Sequence, residues 1–363
     1  MLHHLVLKKS MKSLQFFYDN YPKFQKFDER KIKIQTHKNI IIKGGFASGK
    51  KNLILNFLSL YKAENILFID CDDLKFQASA LINLNSFLTY NPQIKFLALC
   101  NFAHDFDFAS LKHLNLQIIL SVCDSNFCLD QFEELHLDYL DFEEFLSLNK
   151  KYADTKTMVS YFLHTGRNVI LNHNFNTNSS YLKSFYTPLE LTILKQIALE
   201  LGSEFSVNEL LKTLKNTIKI SKDTLYKSIE KLESNYTLYF VKNFEKNLKK
   251  VYFWDFSLKN SLSIQKDFSA LFENLILSEL FKFKQEIFYT KYFDFYLPSL
   301  KNAFLCSPFK DKDLLSLKVK KILSKNQLAL STIYIITLSQ RDEFFIEGVR
   351  VMILPFDEWT LGN

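Results

Sequence analysis

Residues 39–53 read Asn-Ile-Ile-Ile-Lys-Gly-Gly-Phe-Ala-Ser-Gly-Lys-Lys-Asn-Leu, and the fold is decided there. Ile40, Ile41 and Ile42 form an apolar run that ends in a glycine-rich turn. After Gly49-Lys50, Leu53, Ile54, Phe57 and Leu58 recur at helical spacing. Strand, glycine turn, helix is the setting a phosphate loop needs, and Gly44, four residues, Gly49, Lys50 fits G-x-x-x-x-G-K. In such a loop (Gly44, Gly45, Phe46, Ala47, Ser48, Gly49, Lys50, Lys51) the glycines let backbone N–H groups curl around phosphate oxygens. The helix then starts at the phosphates, where its dipole favours anions. Lys50 would reach the outer phosphates as a point charge. The next position normally carries a hydroxyl that holds magnesium; here it is Lys51.

Outward from that stretch, 363 residues are enough for two or three domains, and 47% apolar residues are enough to fill their cores. No run approaches the ~18 apolar residues of a membrane span, so no membrane association is expected. Cys71, Cys100, Cys123, Cys128 and Cys306 are scattered and odd in number. That pattern suits reduced thiols and a cytoplasmic location. The net charge of +7 is mild and carried mostly by lysine. The 37 Phe beside 7 Gly and 6 Pro fit the codon bias of an AT-rich genome, so the aromatics are not read as a stacking surface.

Along the chain, a helix and then a strand near Lys31–Gln35 are expected to lead into the loop. Ile66–Ile69 with Asp70, Asp72 and Asp73 at its end, Ile94–Cys100 and Ile118–Val122 read as buried parallel strands separated by helices. Such alternation implies an α/β fold with a parallel sheet and right-handed crossovers. Between Lys112 and Lys150 there is no Lys or Arg, and eight acids lie between Asp124 and Glu144. They alternate with Phe132, Leu135, Leu137, Leu140, Phe142 and Phe145, which reads as an amphipathic segment with a solvated acidic face rather than a metal cluster.

From Thr187 the texture changes. Thr187-Pro188-Leu189-Glu190 is a capping box with proline at the first helical position, and that helix stops at Gly202. Ser206–Glu209 and Ser221 open two more helices, and Tyr236–Val241 and Val251–Trp254 read as a hairpin. Three helices and a hairpin make a winged helix. Its lysines, Lys242, Lys246, Lys249 and Lys250 among them, are candidate contacts to nucleic-acid phosphates. The last hundred residues open with a helix over 268–281 and continue as a small α/β domain.

With those stretches in view, the chain resembles a prokaryotic family of AAA+-like ATP-binding proteins. In that family a P-loop domain with a helical lid precedes a winged helix and a C-terminal domain like restriction endonucleases. The resemblance rests on Gly44–Leu53, on Tyr139–Leu146, on Lys250-Val251-Tyr252-Phe253-Trp254-Asp255 and on Phe272-Glu273-Asn274-Leu275. It implies a nucleotide-binding domain over 1–185, a winged helix over 186–258 and a nuclease-like domain over 259–363.

The departures from the family pattern shape the functional expectation. The acids that the family carries at the end of its third strand fall on Cys100 and Asn101, which neither hold metal as a carboxylate does nor act as a base. His104, Asp105 and Asp107 lie close by, and they substitute only if the alignment slips. The sensor position falls on Ser121, and Arg167 is the candidate sensor or finger arginine. In the nuclease-like domain Glu273 and Asp294 match the first two acids, but the Glu-x-Lys element falls on Leu305-Cys306-Ser307-Pro308, so hydrolysis of nucleic acid is not expected. The sequence therefore suggests an ATP-binding switch or scaffold with slow or no hydrolysis, a degraded magnesium site and a protein partner. Two alternatives stand beside it: an active ATPase with a displaced catalytic acid, and a DNA-binding regulator acting through the winged helix.

Overall fold

The structure, a computed structural model, describes residues 2–22, 30–35, 37–149, 154–167 and 178–362. The chain forms two compact units: Met1–Tyr139 with Ser234–Tyr236, and Leu140–Glu233 with Thr237–Asn363.

The first unit is built on five strands, β1 (Ile40–Lys43), β2 (Ile66–Asp70), β3 (Phe96–Cys100), β4 (Gln117–Val122) and β5 (Glu133–His136). They pair in the order β2-β3-β4-β1-β5, every pair parallel. β1 to β3 are apolar on both faces because both faces are covered. Ile41, Leu67, Leu97, Leu99 and Leu120 face one core with Leu14, Phe17 and Phe87. Ile40, Ile42, Phe68, Ala98 and Ile119 face the other with Leu53, Ile54 and Phe57 of helix Lys50–Leu58. Layers on both sides are what a parallel sheet requires. The chain leaves β1 for the far edge, walks back through β3 and β4, and then adds β5 beyond β1. The order thus reverses at β1, and crevices at such reversals, outside the carboxyl ends of the strands, are where open α/β sheets bind ligands.

One expectation is corrected here. Residues 31–35 form no strand. Their alternation buries Ile34, with Ile32 packed against the same core, but no neighbouring strand offers a ladder. The acidic segment, in turn, contributes β5. Glu133 and Glu134 of that strand are exposed at the sheet edge, where Lys38 pairs with Glu133, and Lys43 lies 2.7 Å from Glu134.

In the second unit, helices Pro188–Leu199, Val207–Lys215 and Lys222–Ser234 precede a hairpin, β6 (Leu238–Asn243) and β7 (Lys249–Phe253). Thr187 and Glu190 form the full capping box. The strands β8 (Phe288–Tyr289), β9 (Phe295–Leu297), β10 (Asn302–Cys306), β11 (Thr332–Thr337), β12 (Asp342–Ile346) and β13 (Val349–Pro355) follow. All eight join one mixed sheet, β12-β13-β11-β10-β9-β8-β6-β7, in which β6 pairs parallel with β8. Helix Phe268–Leu280 and the helices Phe142–Leu148 and Thr155–Thr165 share one aromatic-rich core with strand residues such as Phe295 and Phe304. Helix Lys312–Leu323 packs Leu315, Val319 and Ile322 into a second core with Ala303, Leu305, Ile333 and Ile335. Among the described residues, no helix is long and apolar enough to cross a membrane.

Candidate functional site

The turn after β1 is tight because two of its glycines have no room for a side chain. A Cβ on Gly44 would lie 2.3 Å from the Leu137 carbonyl oxygen, and one on Gly45 2.3 Å from the Tyr139 hydroxyl. Ala47 and Gly49 both adopt the left-handed region, at φ 58° and 98°, which curls the loop at the start of helix Lys50–Leu58. A non-glycine residue held there costs about 1 kcal/mol or more, so the surroundings must hold the loop.

Arg30 does so. Its Nη1 donates to the Ser48 carbonyl at 2.7 Å and its Nη2 to the Asp138 carbonyl at 2.8 Å, tying the end of the loop to the chain beyond β5. Motif spacing did not single out Arg30, which lies well before the loop. The available signal was compositional: in a lysine-dominated chain, Arg30 is the one arginine before Arg167. A rigid planar fork does what a flexible ammonium does not.

Lys50 lies at the centre of the loop. Its Nζ donates to the carbonyls of Gly44 and Gly45, both at 2.6 Å, and lies 3.4 Å from Cys123 Sγ. The side chain is only 5% exposed, and burial lowers its pKa from the ordinary lysine value. Among the described residues no carboxylate pairs with this ammonium. A buried cation without a carboxylate partner is costly, and the two carbonyls and Cys123 offset part of that cost. Ser48 is also buried, and its Oγ has no hydrogen-bond partner among the described residues.

The positions that should hold magnesium are arranged otherwise. Lys51 Nζ lies 2.7 Å from Asp70 Oδ2 at the end of β2, and Asn101 Nδ2 donates to Asp70 Oδ1 at 3.2 Å. The ammonium therefore occupies the nearest carboxylate. Burial, with Asp70 next, raises the Asp72 pKa and works against an ionised acid there. Cys100 is fully buried, and its thiol is pushed far up, so it stays neutral. Ser121, also fully buried, accepts the Asn101 backbone N–H at 3.0 Å and fixes that residue at φ 52°. Asp107 caps a short 3-10 turn through the Ala109 N–H, and the His104 ring packs against Phe76 and Phe102. Among the described residues, no three His, Cys, Asp or Glu side chains are grouped to hold a metal ion. This donor set does not fit magnesium.

The remaining sequence candidates lie in the second unit. Arg167 is 2% exposed; its Nε donates to the Leu140 carbonyl at 2.7 Å and its Nη1 to the Trp254 carbonyl at 2.9 Å. Glu273, on the buried helix Phe268–Leu280, accepts from Tyr252 and from Lys250 Nζ at 3.1 Å. Asp294 Oδ2 accepts the Cys306 N–H at 2.8 Å. Burial and then Asp294 raise the Glu273 pKa, against Lys250. Burial alone would lower Lys250, but Glu273 and Asp294 carry its pKa above the ordinary value. The two directions agree physically: the Asp294 charge opposes the Glu273 carboxylate and supports the Lys250 ammonium. Of the hairpin lysines, Lys250 is thus held by Glu273, and Lys249 lies 3.6 Å from the centre of the Phe240 ring. Lys242 and Lys246 are exposed.

No family model and no curated protein matches the sequence. Among solved structures, the chain is similar to a Walker-type ATPase of Pyrococcus abyssi at 13% identity, over 70% of this chain and 94% of that one, with a TM-score of 0.44. It is also similar to a signal transduction ATPase with numerous domains and a tetratricopeptide repeat sensor from Pyrococcus horikoshii. That match has 12% identity and a TM-score of 0.28 and covers 72% of this chain and 47% of that one. At these scores neither likeness carries an argument about fold or function.

Proposed function

We propose that the first unit binds a purine nucleotide, ATP or ADP, through Gly44–Lys51, and that the protein works as a nucleotide-dependent switch or scaffold with weak or no hydrolysis. The observation that carries this reading is the Lys50 ammonium: buried, unpaired with any described carboxylate, and centred in a curled loop at the point where the strand order reverses. A triphosphate supplies the missing anion. Lys50 would exchange two backbone carbonyls for phosphate oxygens, and the start of helix Lys50–Leu58 would add its dipole.

Slow turnover follows from what surrounds the loop. Phosphoryl transfer relies on a bridging metal and a positioned water. Here Lys51 takes the Asp70 carboxylate, and the acid positions after β3 are a neutral thiol and an amide. Losing those groups costs turnover more than ground-state binding. In this reading residues 1–185 form an AAA+-like nucleotide-binding domain with a lid, 186–258 a winged helix and 259–363 an inactive nuclease-like domain that meets a protein partner. The order of three helices and a hairpin supports the second of these. The half-buried Lys249, held over the Phe240 ring, and the pairing of Lys250 leave fewer lysines for duplex DNA than the sequence alone suggested, which weighs against the regulator reading.

The test is calorimetric titration of ATP into the wild type and Lys50→Ala. Loss of a charge-assisted contact worth ~1.5–3 kcal/mol should weaken binding by about tenfold to a hundredfold, with the fold retained. Equal affinity in the two proteins would overturn the reading.

A further inference from the structure

We propose that the second unit carries a second ligand site, a cavity that takes a nucleoside phosphate without a metal ion. The cavity measures ≈ 530 Å³ and lies among the end of β6, the hairpin turn, the β8–β9 connection and helix Lys312–Leu323. That volume is in the range of small-molecule pockets, about 300–1,000 Å³. It is independent of the phosphate loop, which belongs to the first unit.

The lining selects for a phosphate. Lys246, Lys250, Lys291 and Lys318 all border the cavity, and they come from three separate stretches of chain. Among the described residues Lys246, Lys291 and Lys318 have no carboxylate partner. Solvated lysines are ordinary on a surface, but here they converge on one concavity, and two of the three acids on its lining already accept a hydrogen bond from the protein. Glu204 accepts the Tyr289 hydroxyl at 3.2 Å, and Asp294 accepts the Cys306 N–H. Of the nearby acids, Glu245 also lies on the lining.

The lining also selects for a ring with donor groups. The Tyr289 and Tyr292 rings border the space, with Lys250 Nζ 5.2 Å and Lys291 Nζ 5.4 Å from their centres. Tyr289 is buried beneath Lys250, so the half-buried Tyr292 ring is the one a base can reach, with Lys291 close by to neutralise its phosphate. Glu204 and Asp294 still offer acceptor oxygens for sugar hydroxyls or an exocyclic amine. Lys250, tied to Glu273, stands as a fixed cation where the two acids alone would have invited a divalent ion. The phosphate bears either on a free nucleotide or on the end of a single strand; the recognising chemistry is the same.

The experiment uses the full chain carrying Lys50→Ala, in EDTA, so that binding at the phosphate loop is weakened about tenfold to a hundredfold and no metal contributes; the lysine substitutions below then separate the two sites. AMP is titrated in one arm and 5′-phosphorylated hexathymidylate in the other, with adenosine as the phosphate-free control. Saturable binding of AMP assigns the free nucleotide; binding of the oligonucleotide alone assigns the strand end. In either case Lys291→Ala together with Lys318→Ala should lower affinity by at least about tenfold, and adenosine should bind no better than the variant binds AMP. Circular dichroism checks folding, and Lys291→Gln with Lys318→Gln replaces the alanine pair if that pair unfolds. No saturable binding in either arm, or affinity unchanged by the lysine substitutions, overturns the proposal.

Discussion

Arg30→Ala removes two hydrogen bonds from a guanidinium to buried backbone carbonyls, at 2.7 and 2.8 Å. A hydrogen bond to a charged group contributes ~1.5–3 kcal/mol, so the pair sets a ceiling near ~6 kcal/mol. Water entering the vacated space re-solvates both carbonyls, which brings the expected loss of stability to about 3 kcal/mol. Part of that loss falls on the loop itself, because Ala47 sits at φ 58° and relaxes once the Ser48 carbonyl is released. We expect ATP affinity to fall about tenfold to thirtyfold, equivalent to ~1.4–2 kcal/mol of reordering when nucleotide binds. Arg30→Lys should recover less than half of the effect, since one ammonium cannot span two carbonyls in fork geometry. The assay is ATP titration calorimetry paired with urea unfolding of the wild type, Arg30→Ala and Arg30→Lys. Wild-type affinity and unfolding midpoint in Arg30→Ala would refute the clamp.

Gly44→Ala should abolish ATP binding, because an added methyl meets a backbone carbonyl there, while Gly348→Ala, which meets no atom but strains a turn of the second unit at φ 79°, leaves it intact; equal calorimetric titrations in the two variants would contradict the close approach. ATP affinity should decline with rising pH, beginning below the ordinary lysine value of 10.5, because burial lowers Lys50 and only its charged form is attracted to phosphate; titrations across the alkaline range should show this slope in the wild type and not in Lys50→Ala. Lys250→Met should destabilise the second unit by about 3 kcal/mol at neutral pH, since it strands a buried carboxylate beside Asp294. Glu273 has a raised folded pKa, so its penalty is full above that value and fades as acid protonates it. The gap in unfolding midpoints between Lys250→Met and wild type should therefore narrow at acid pH, and a constant gap would count against the ion pair.

How far the sequence revealed the molecule depended on whether local spacing carried the information. The glycine turn between β1 and helix Lys50–Leu58 was legible because its glycines and Lys50 sit within ten residues, and the apolar runs marked β1 to β4. β5 was not, because Glu133 and Glu134 face solvent on an edge strand and lack the apolar signature of a buried one. The expected strand at 31–35 had the right alternation but no sheet edge beside it. β12 was missed for the same reason as β5: it is an edge strand of alternating exposure. The contacts that define the candidate sites are long-range. Arg30 reaches a carbonyl 108 residues away, and Lys250 reaches a helix 23 residues on. Lys51 likewise reaches Asp70, at the end of β2 on the far edge of the sheet, a pairing that no local spacing signals.

The most direct measurement is titration of ATP into the wild-type protein with magnesium and again in EDTA. Because Lys51 holds Asp70 and the acid positions after β3 are Cys100 and Asn101, affinity in EDTA should stay within about tenfold of that in magnesium, a difference under ~1.4 kcal/mol. A much larger loss in EDTA would mean that a metal ion is held at the loop, and the account of a nucleotide site without one would be wrong.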